Sequence, residues 1–451
     1  MVDDNQSLSP QKNIVFLFGA GASVPAKCKT TPDLTEWLIQ AIQKDSFISA
    51  QFSWIIPLWE ILQLSSRDFN DQDTTTLPNG HIIEHKRFTP NFENLVYLIE
   101  LIEDFIDSMP TRPTNQKFFD LLKSLKFHSD QDAYNAVLYS LARLSSDIRS
   151  VQPIWQLMSI KGLSAGYMWA HKALLKLIFD QFLKNYDLSY LKGYTRVLRD
   201  NDLRVVLATT NYDLVFDQFL YENSICYQDG FSNGTELSIW NGFDYTKEDI
   251  TYLKLHGSLN WFKIEDDWFE EKPEYISPNR IYKVNSLDIM PMLKQELRDK
   301  SLKDHKYSFE FNVPHLIMGG LKDKKILTTP FVEIHREWQN ALSTAHTILI
   351  IGMSASDLHL LYQMKGLLLT NRNLSKIIII NPNNSTHQAF NTFLRDVSIG
   401  AKEPVIFNIN SYWDLNLFGN GIKLPFEKVL KMTGRELNEH FTLLNKTGSQ
   451  E

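Results

Sequence analysis

Short runs of apolar residues, each closed by glycine or a polar residue, recur along this chain of 451 residues. Runs of about five apolar residues between turn-forming residues are typical of strands that are buried on both faces of a parallel sheet. The predicted strands are 13–18, 204–208, 252–255, 347–352 and 376–381, with a weaker one at 404–407. The pattern predicts an α/β fold built on a Rossmann-like parallel sheet, in which polar site residues collect where the strands end.

The long segment between the first two predicted strands has helical periodicity instead. Apolar residues at Phe92, Leu95, Val96, Ile99, Ile102 and Ile106 follow the spacing of one helix face. Similar patterns predict helices at 168–182 and 134–144. Thr31 followed by Pro32 resembles a helix start, with threonine at the cap and proline in the first turn.

These patterns predict a discontinuous domain organisation. The α/β domain comprises residues 1–33 and 201–425, and a large helical insertion occupies 34–200. A smaller insertion of mixed character interrupts the second part at about 262–330. Residues 426–451 are predicted to form a C-terminal helix and tail.

The composition excludes several function classes. The formal net charge of -7 gives no overall attraction to a phosphate backbone, so we expect no direct nucleic-acid binding by this chain alone. No apolar run approaches the ~18 residues of a membrane-spanning helix, and residues 1–12 are polar. We therefore expect no membrane association, no secretion signal and a cytoplasmic location.

The chain contains two cysteines, Cys28 and Cys226. A structural zinc site of four thiolates cannot be built from two. A disulfide is possible by number, but a reducing cytosol argues against one, so both are interpreted as ordinary buried or half-buried thiols.

The first motif with chemical potential is the sequence GAGAS at 19–23, directly after the opening strand. Glycines there allow the backbone to approach a pyrophosphate, and a following helix start offers unpaired N–H groups. The motif lacks the third glycine of the dinucleotide fingerprint, since Val24 stands there, and no acidic residue follows on a second strand at the expected distance. A tight turn between strand and helix is the alternative interpretation.

Two further motifs, TTNYD at 209–213 and KLHGS at 254–258, also follow predicted strands. The side chains of Asn211, Asp213 and His256 would point into the ligand crevice of an open sheet. Alternatively, Asn211 or Asp213 caps a helix, and His256 is a structural hydrogen-bonding residue.

The last two motifs are IGMSASD at 351–357 and Asn381-Pro382. Gly352, Ser354 and Asn381 could hold an adenosine by hydrogen bonds. Asp357 is more simply explained as the cap of the helix that begins after the turn.

In this order, GAGAS, TTNYD, LHGS, GMSASD and INP resemble the NAD-binding domain of sirtuins, and more closely the sirtuin-like NADases of bacterial anti-phage defence systems. The sequence NFENL at 91–95 strengthens the resemblance, because such proteins often carry a similar helix start in their helical insertion. The resemblance covers the strand segments across nearly the whole chain. It leaves the insertions and the last 30 or so residues poorly constrained.

The resemblance implies the roles of individual residues. Asn211 and His256 match the asparagine and histidine of the family's catalytic site. The nucleotide-binding positions are matched by Gly19, Ala20, Gly21, Ser23, Thr210, Asp213, Gly352, Ser354 and Asn381. Asp213 either orients a reacting group, stabilises the ribosyl cation or caps the next helix.

The departure from the family concerns zinc. Sirtuin deacylases carry a zinc module held by four cysteines, which this chain cannot supply. The resemblance therefore favours NAD hydrolysis with NAD as substrate and no zinc. Two alternatives stay open: a non-catalytic module that senses NAD or ADP-ribose, and a zinc-free deacylase or ADP-ribosyltransferase.

An enzyme that destroys NAD must be inactive until it is triggered. The resemblance implies control by homo-oligomerisation or by a protein partner, such as an Argonaute or a DNA-translocating ATPase. The helical insertion is the natural candidate for an assembly surface or for a lid over the pocket.

Overall fold

A computed structural model of the chain describes most of the predicted α/β domain and part of the helical insertion. The described residues are 12–63 (except 53, 54, 57 and 61), 74–76, 82–84, 91–108, 171–264 (except 172, 183, 184, 233–236 and 247–249), 280–285, 314–318, 325–394 (except 355, 356 and 383), 405–409, 430 and 436. The predicted helix at 134–144 lies outside them, as does most of the predicted C-terminal helix and tail.

The centre of the fold is a seven-stranded sheet in which all recorded strand pairs are parallel. Its strands are β1 (Lys12–Phe18), β4 (Leu203–Thr209), β5 (Tyr227–Gln228), β7 (Ile250–Lys254), β10 (Thr347–Ile351), β11 (Lys376–Ile380) and β12 (Val405–Ile409). They lie in the order β12-β11-β10-β1-β4-β7-β5. This confirms the predicted α/β fold with a Rossmann-like parallel sheet.

The opening strand shows why these apolar runs form buried strands. Residues 14–18 of β1 are all at most 1% exposed. Ile14, Phe16 and Phe18 pack into one core, whereas Val15 and Leu17 pack into another on the opposite face of the sheet. Side chains alternate between the two faces of a strand. In a strand that is covered on both faces every side chain is therefore buried, and apolar residues are favoured at every position.

Helices cover both faces of this sheet. The described helices are α1 (Thr31–Lys44), α2 (Ser46–Phe52), α3 (Phe92–Ser108), α4 (Tyr194–Leu198), α5 (Val215–Glu222), α6 (Phe331–Thr344), α7 (Leu358–Thr370) and α8 (Asn384–Leu394). Helices α4 and α5 contribute to the core that contains Phe16, and α6, α7 and α8 to the core that contains Val15.

The described part of the helical insertion forms a third apolar core. It brings together α1, α2, α3 and the helical segment around 173–179, and also Tyr212 and Leu259 from the α/β domain. Short strands β2 (Thr74–Thr76) and β3 (Ile82–Glu84) pair antiparallel within the same insertion. The segment 186–198, which the prediction included in the insertion, packs instead in the core of the central sheet.

Two helix starts show how local sequence fixes these elements. Helix α1 begins one residue earlier than predicted: its cap is Thr30, not Thr31, because Thr30 and Asp33 bond each other's backbone N–H reciprocally. At α3, the Asn91 side chain accepts from the N–H groups of Glu93 and Asn94 at 2.9 and 3.2 Å. The sequence NFEN is therefore a capped helix start, as predicted.

A second, antiparallel sheet is formed partly by residues of the smaller predicted insertion. Its strands, β6 (Leu237–Ile239), β8 (Trp261–Ile264) and β9 (Arg280–Val284), lie in the order β6-β9-β8. Of these strands, β9 and most of β8 lie within the predicted bounds of about 262–330, whereas β6 precedes them, and the bounds of the insertion stay a prediction.

Candidate functional site

Five strands of the central sheet end at the same level. In the strand register Phe18 pairs with both Ile351 and Thr209, Thr209 with Lys254, and Ile351 with Ile380. Each of these residues directly precedes or opens one of the five motifs found in the sequence. All five motifs therefore lie along one edge of the sheet, at the carboxyl ends of parallel strands, where open α/β sheets bind ligands.

The glycines at the ends of β1 and β10 allow two loops to touch backbone to backbone. The Gly21 N–H donates to the Gly352 carbonyl at 2.8 Å, and the Gly19 N–H donates to the Ile351 carbonyl at 2.9 Å. Gly352 has a φ of +60°, and a Cβ there would lie 2.3 Å from the Ala22 nitrogen. The close packing of the two loops therefore explains the need for glycine at these positions, whether or not a ligand binds.

The segment after β1 differs from the helix start that the sequence suggested. Residues Ala20–Ser23 form a single 3₁₀ turn, and the regular helix begins only at Thr31. Within this turn Ala20 is exposed, whereas Ser23 is buried. Because two of the glycine N–H groups already have backbone partners, pyrophosphate binding by this loop stays a prediction.

Asn211 lies directly against that loop. Its side-chain Nδ2 donates to the Gly19 carbonyl at 2.9 Å and to the Ser23 hydroxyl at 3.0 Å. Its own backbone N–H donates to the hydroxyl of Thr209 at 3.0 Å, which fixes the turn at the end of β4. The residue is 7% exposed. The structure therefore brings together Asn211, Gly19 and Ser23, which the sequence had assigned to one site.

Asp213 is buried and lies two residues before the next helix. Its Oδ1 accepts from the Val215 N–H at 3.1 Å, whereas the cap position of that helix is Leu214, which makes no side-chain cap hydrogen bond, so Asp213 supports the helix start without being its cap. Burial raises the pKa of Asp213, against the opposing effects of Lys254 and of a hydrogen bond from Ser23. Since it bonds Ser23, which in turn accepts from Asn211, Asp213 supports the asparagine as well as the helix. Thr210 bonds the Phe18 carbonyl through both its N–H and its hydroxyl.

The buried side chain of Lys254 holds the loop that follows β4. The Lys254 ammonium group is 1% exposed and donates to the Asp213 carbonyl at 2.6 Å and to Asp217 Oδ2 at 2.9 Å. The Tyr252 hydroxyl also donates to Asp217, at 3.0 Å. Although burial raises the pKa of Asp217, Lys254 and then Lys283 outweigh it, so the pKa lies below its ordinary value and the carboxylate stays charged.

His256 follows β7 as Asn211 follows β4, each two residues beyond a register pair. It is 5% exposed. Its Nε2 lies 3.2 Å from Oδ2 of Asp357, at the start of α7. Its ring lies 6.2 Å from the ring of Tyr212, centroid to centroid. The histidine is therefore held between the TTNYD loop and the loop after β10.

Tyr212 connects the site to the helical insertion. Its hydroxyl lies 3.1 Å from the Ile317 carbonyl and 3.4 Å from Glu93 Oε1 in the first turn of α3. Its ring packs edge-on against Phe179. Burial, and then the nearby Glu93, raise the pKa of Tyr212 well above its ordinary value, so the phenol is neutral. The residue next to Asn211 thus contacts the insertion directly.

The residues assigned to the adenosine half of NAD differ in how exposed their side chains are to solvent. Asn381 is buried and its Nδ2 donates to the Met353 carbonyl at 3.1 Å, which ties the end of β11 to the loop after β10. Ser354 is exposed on that loop. Their contacts to a nucleotide stay a prediction.

Sequence reasoning missed three members of this arrangement. Asp357 was interpreted only as a helix cap, Lys254 only as part of a strand, and Glu93 only as part of a motif. A charged residue inside the otherwise apolar predicted strand 252–255 was the available signal for Lys254. No local pattern could reveal that Asp357 lies against His256, because the two belong to strands separated by β1 and β4.

The described residues contain no group of three or more histidine, cysteine, aspartate or glutamate side chains arranged to hold a metal ion. None of the described helices is long and apolar enough to cross a membrane. Cys28 is buried, as expected, but Cys226 is exposed, so the interpretation of both as buried or half-buried thiols was wrong for Cys226. The pair forms no disulfide.

Comparison with known proteins gives one kind of match. No family model matches the chain, and no curated protein matches it. Among solved structures, the chain is similar to one described as "Structural Basis for the Mechanism and Regulation of Sir2 Enzymes". The two share 12% identity over 55% of this chain and 85% of the other, with a TM-score of 0.26.

Proposed function

We propose that this protein is an NAD glycohydrolase, which releases nicotinamide and ADP-ribose from NAD. The observation that carries the proposal is the shared register level of the five motifs. It places the Asn211 carboxamide and the His256 imidazole at neighbouring strand ends, both nearly buried, beside the glycine loop. The resemblance of those motifs to sirtuin-like NADases supplies the substrate.

The reaction requires few catalytic groups. Cleavage of the bond between nicotinamide and ribose builds positive charge on the ribose, as in glycoside hydrolysis, and nicotinamide leaves as a neutral amine. The site must hold the ribose and one water in position and take up one proton. Because Nδ2 of Asn211 is already bonded to Gly19 and Ser23, we assign its carboxamide oxygen to the water or to a ribose hydroxyl. His256 accepts the proton.

The nucleotide is assigned to the rest of the edge. We place the pyrophosphate at Gly19–Ser23 with Thr210 and Asp213 beside it, and the adenosine at Gly352, Ser354 and Asn381. This order follows the strand order from β4 through β1 to β11. It puts the scissile bond at the β4 and β7 end, where the buried side chains lie.

We further propose that the enzyme is an NAD-depleting effector of anti-phage defence that is activated by self-assembly or by a protein partner. Two points support this proposal. The motifs resemble those of sirtuin-like NADases, and unrestrained hydrolysis of NAD would harm the cell. Through Glu93, the helical insertion contacts Tyr212, the residue next to Asn211.

The test separates hydrolysis from the other two functions considered. The purified chain is titrated with NAD by calorimetry and then incubated with NAD, with and without an acetylated peptide, while nicotinamide is followed by chromatography. We expect NAD binding, and release of nicotinamide without peptide by the self-assembled chain. NAD binding by that assembly with no release in either reaction would point to a module that senses NAD. Release that requires the peptide would point to a deacylase or transferase. Absence of NAD binding would contradict the nucleotide site itself.

A further inference from the structure

The two oxygens of the Asp357 carboxylate contact different groups. Oδ1 accepts from the Leu360 N–H at 3.3 Å and so caps α7. Oδ2 faces Nε2 of His256 at 3.2 Å, with the two side chains only 13% and 7% exposed. A cap needs one oxygen, which serine or asparagine provides equally well. The second oxygen makes a contact that capping does not explain.

Two groups near His256, the His335 imidazole and the Tyr212 phenol, are electrically neutral. Burial lowers the pKa of His335 to about 4, and its Nε2 donates to the Leu255 carbonyl at 3.1 Å. The Tyr212 phenol is neutral because burial raises its pKa. Asp357, by contrast, places a carboxylate oxygen 3.2 Å from the imidazole.

We propose that Asp357 is a positioning residue for His256, which fixes the orientation and the tautomer of its imidazole for the reaction. This inference rests on the proposed function. A carboxylate can only accept hydrogen bonds, so a neutral imidazole facing it must carry its proton on Nε2. The lone pair then lies on Nδ1, and Nδ1 is the atom that takes the proton.

The proton balance of the step follows from this assignment. The water oxygen forms a bond to the ribose carbon as nicotinamide leaves with the electron pair of the broken bond. One water O–H bond breaks, and its proton goes to Nδ1 of His256. The resulting imidazolium bears a positive charge that the Asp357 carboxylate stabilises, as the carboxylate does in a Ser-His-Asp triad.

The contact between His256 and Asp357 also joins two loops that are far apart along the sheet. His256 follows β7 and Asp357 follows β10, and strands β1 and β4 lie between them. At ~4.8 Å per strand the two strand ends are about 14 Å apart. The contact thus connects the loops on either side of the glycine loop and Asn211.

The matched perturbation is Asp357→Asn. Asparagine keeps a carbonyl oxygen for the Leu360 N–H, so the helix cap survives. Its amide then presents N–H groups to His256, which forces the lone pair onto Nε2 and the proton onto Nδ1. The variant should therefore fold like wild type and carry the opposite tautomer. Asp45→Asn is the control, because Asp45 accepts from the N–H groups of Phe47 and Ile48 at another helix start.

The tautomer is measured by long-range ¹H–¹⁵N NMR of the histidine rings in protein without NAD, with the His256 signal assigned by its loss in His256→Gln. We expect the Nε2–H form in wild type and Asp45→Asn, and the Nδ1–H form in Asp357→Asn. We also expect nicotinamide release by Asp357→Asn to fall by about 10²- to 10⁴-fold.

Two results would overturn the inference. One is the Nδ1–H form in wild type, which needs no variant to observe. The other is wild-type turnover by Asp357→Asn with an unchanged tautomer. If the tautomers are as expected but no protein releases nicotinamide, the pairing is supported and the proposed function fails instead.

Discussion

Replacing Lys254 by methionine removes a buried charge beneath the candidate site while keeping the aliphatic stem. The ammonium group is 1% exposed and lies 2.9 Å from Asp217 and 2.6 Å from the Asp213 carbonyl. Its loss leaves the Asp217 carboxylate, whose side chain is 12% exposed, charged and without a cation at that distance. Breaking a buried pair in this way costs about 3–5 kcal/mol.

The assay is urea unfolding followed by tryptophan fluorescence, in a double-mutant cycle with Asp217→Asn. Lys254→Met should lower the free energy of unfolding by about 3–5 kcal/mol. The double variant should be about 1–3 kcal/mol more stable than the sum of the single effects predicts, because neutralising Asp217 removes the uncompensated charge.

The control pair lies on the surface. Lys176 and Asp180 are 2.6 Å apart, but both side chains are 46% exposed. Lys176→Met should change stability by less than about 1 kcal/mol. An effect of Lys254→Met no larger than that of Lys176→Met, or zero coupling in the cycle, would refute the view that this buried pair supports the loop.

Three further predictions concern backbone and pH. Gly352→Ala should destabilise the fold by about 1–3 kcal/mol and weaken NAD binding, since its φ is +60° and a Cβ would lie 2.3 Å from the Ala22 nitrogen; unchanged melting would contradict the loop contact. Gly366→Ala, in α7 with open space around a Cβ, should raise stability by about 0.5–1 kcal/mol, and a lower melting temperature would count against this. Burial lowers the pKa of both His315 and His335 to about 4, so the unfolded chain takes up protons first as the pH falls below 6.5. Unfolding free energy should therefore drop by about 2 kcal/mol per histidine between pH 6.5 and 5, and a urea midpoint that is flat over this range would show that they are protonated in the fold.

The strands were the most predictable part of the fold. Residues 14–18 of β1 are buried on both faces, so their sequence has no polar position, and such runs can be identified without a structure. Their shared register could not be read from sequence, since it depends on which strands become neighbours. The one-residue error at Thr30 has a local cause: Thr30 and Thr31 are chemically alike, and the reciprocal bond with Asp33 decides between them.

The candidate site was predictable only as a set of motifs. Their positions at strand ends follow from the strand pattern, and the contact of Asn211 with Gly19 and Ser23 agrees with their assignment to one site. The partners of those motifs were not predictable, because they come from distant segments. Asp357 reaches His256 across two strands, and Glu93 reaches Tyr212 from the insertion.

The most direct test of the account compares nicotinamide release at saturating NAD by wild type, Asn211→Ala and His256→Ala. His346→Ala serves as the control, because His346 directly precedes β10 and lies at the opposite edge of the sheet. We expect release by wild type and by the control, with a loss of about 10²- to 10⁴-fold in the two site variants. Undiminished release by Asn211→Ala or His256→Ala, in protein that binds NAD as wild type does, would contradict it.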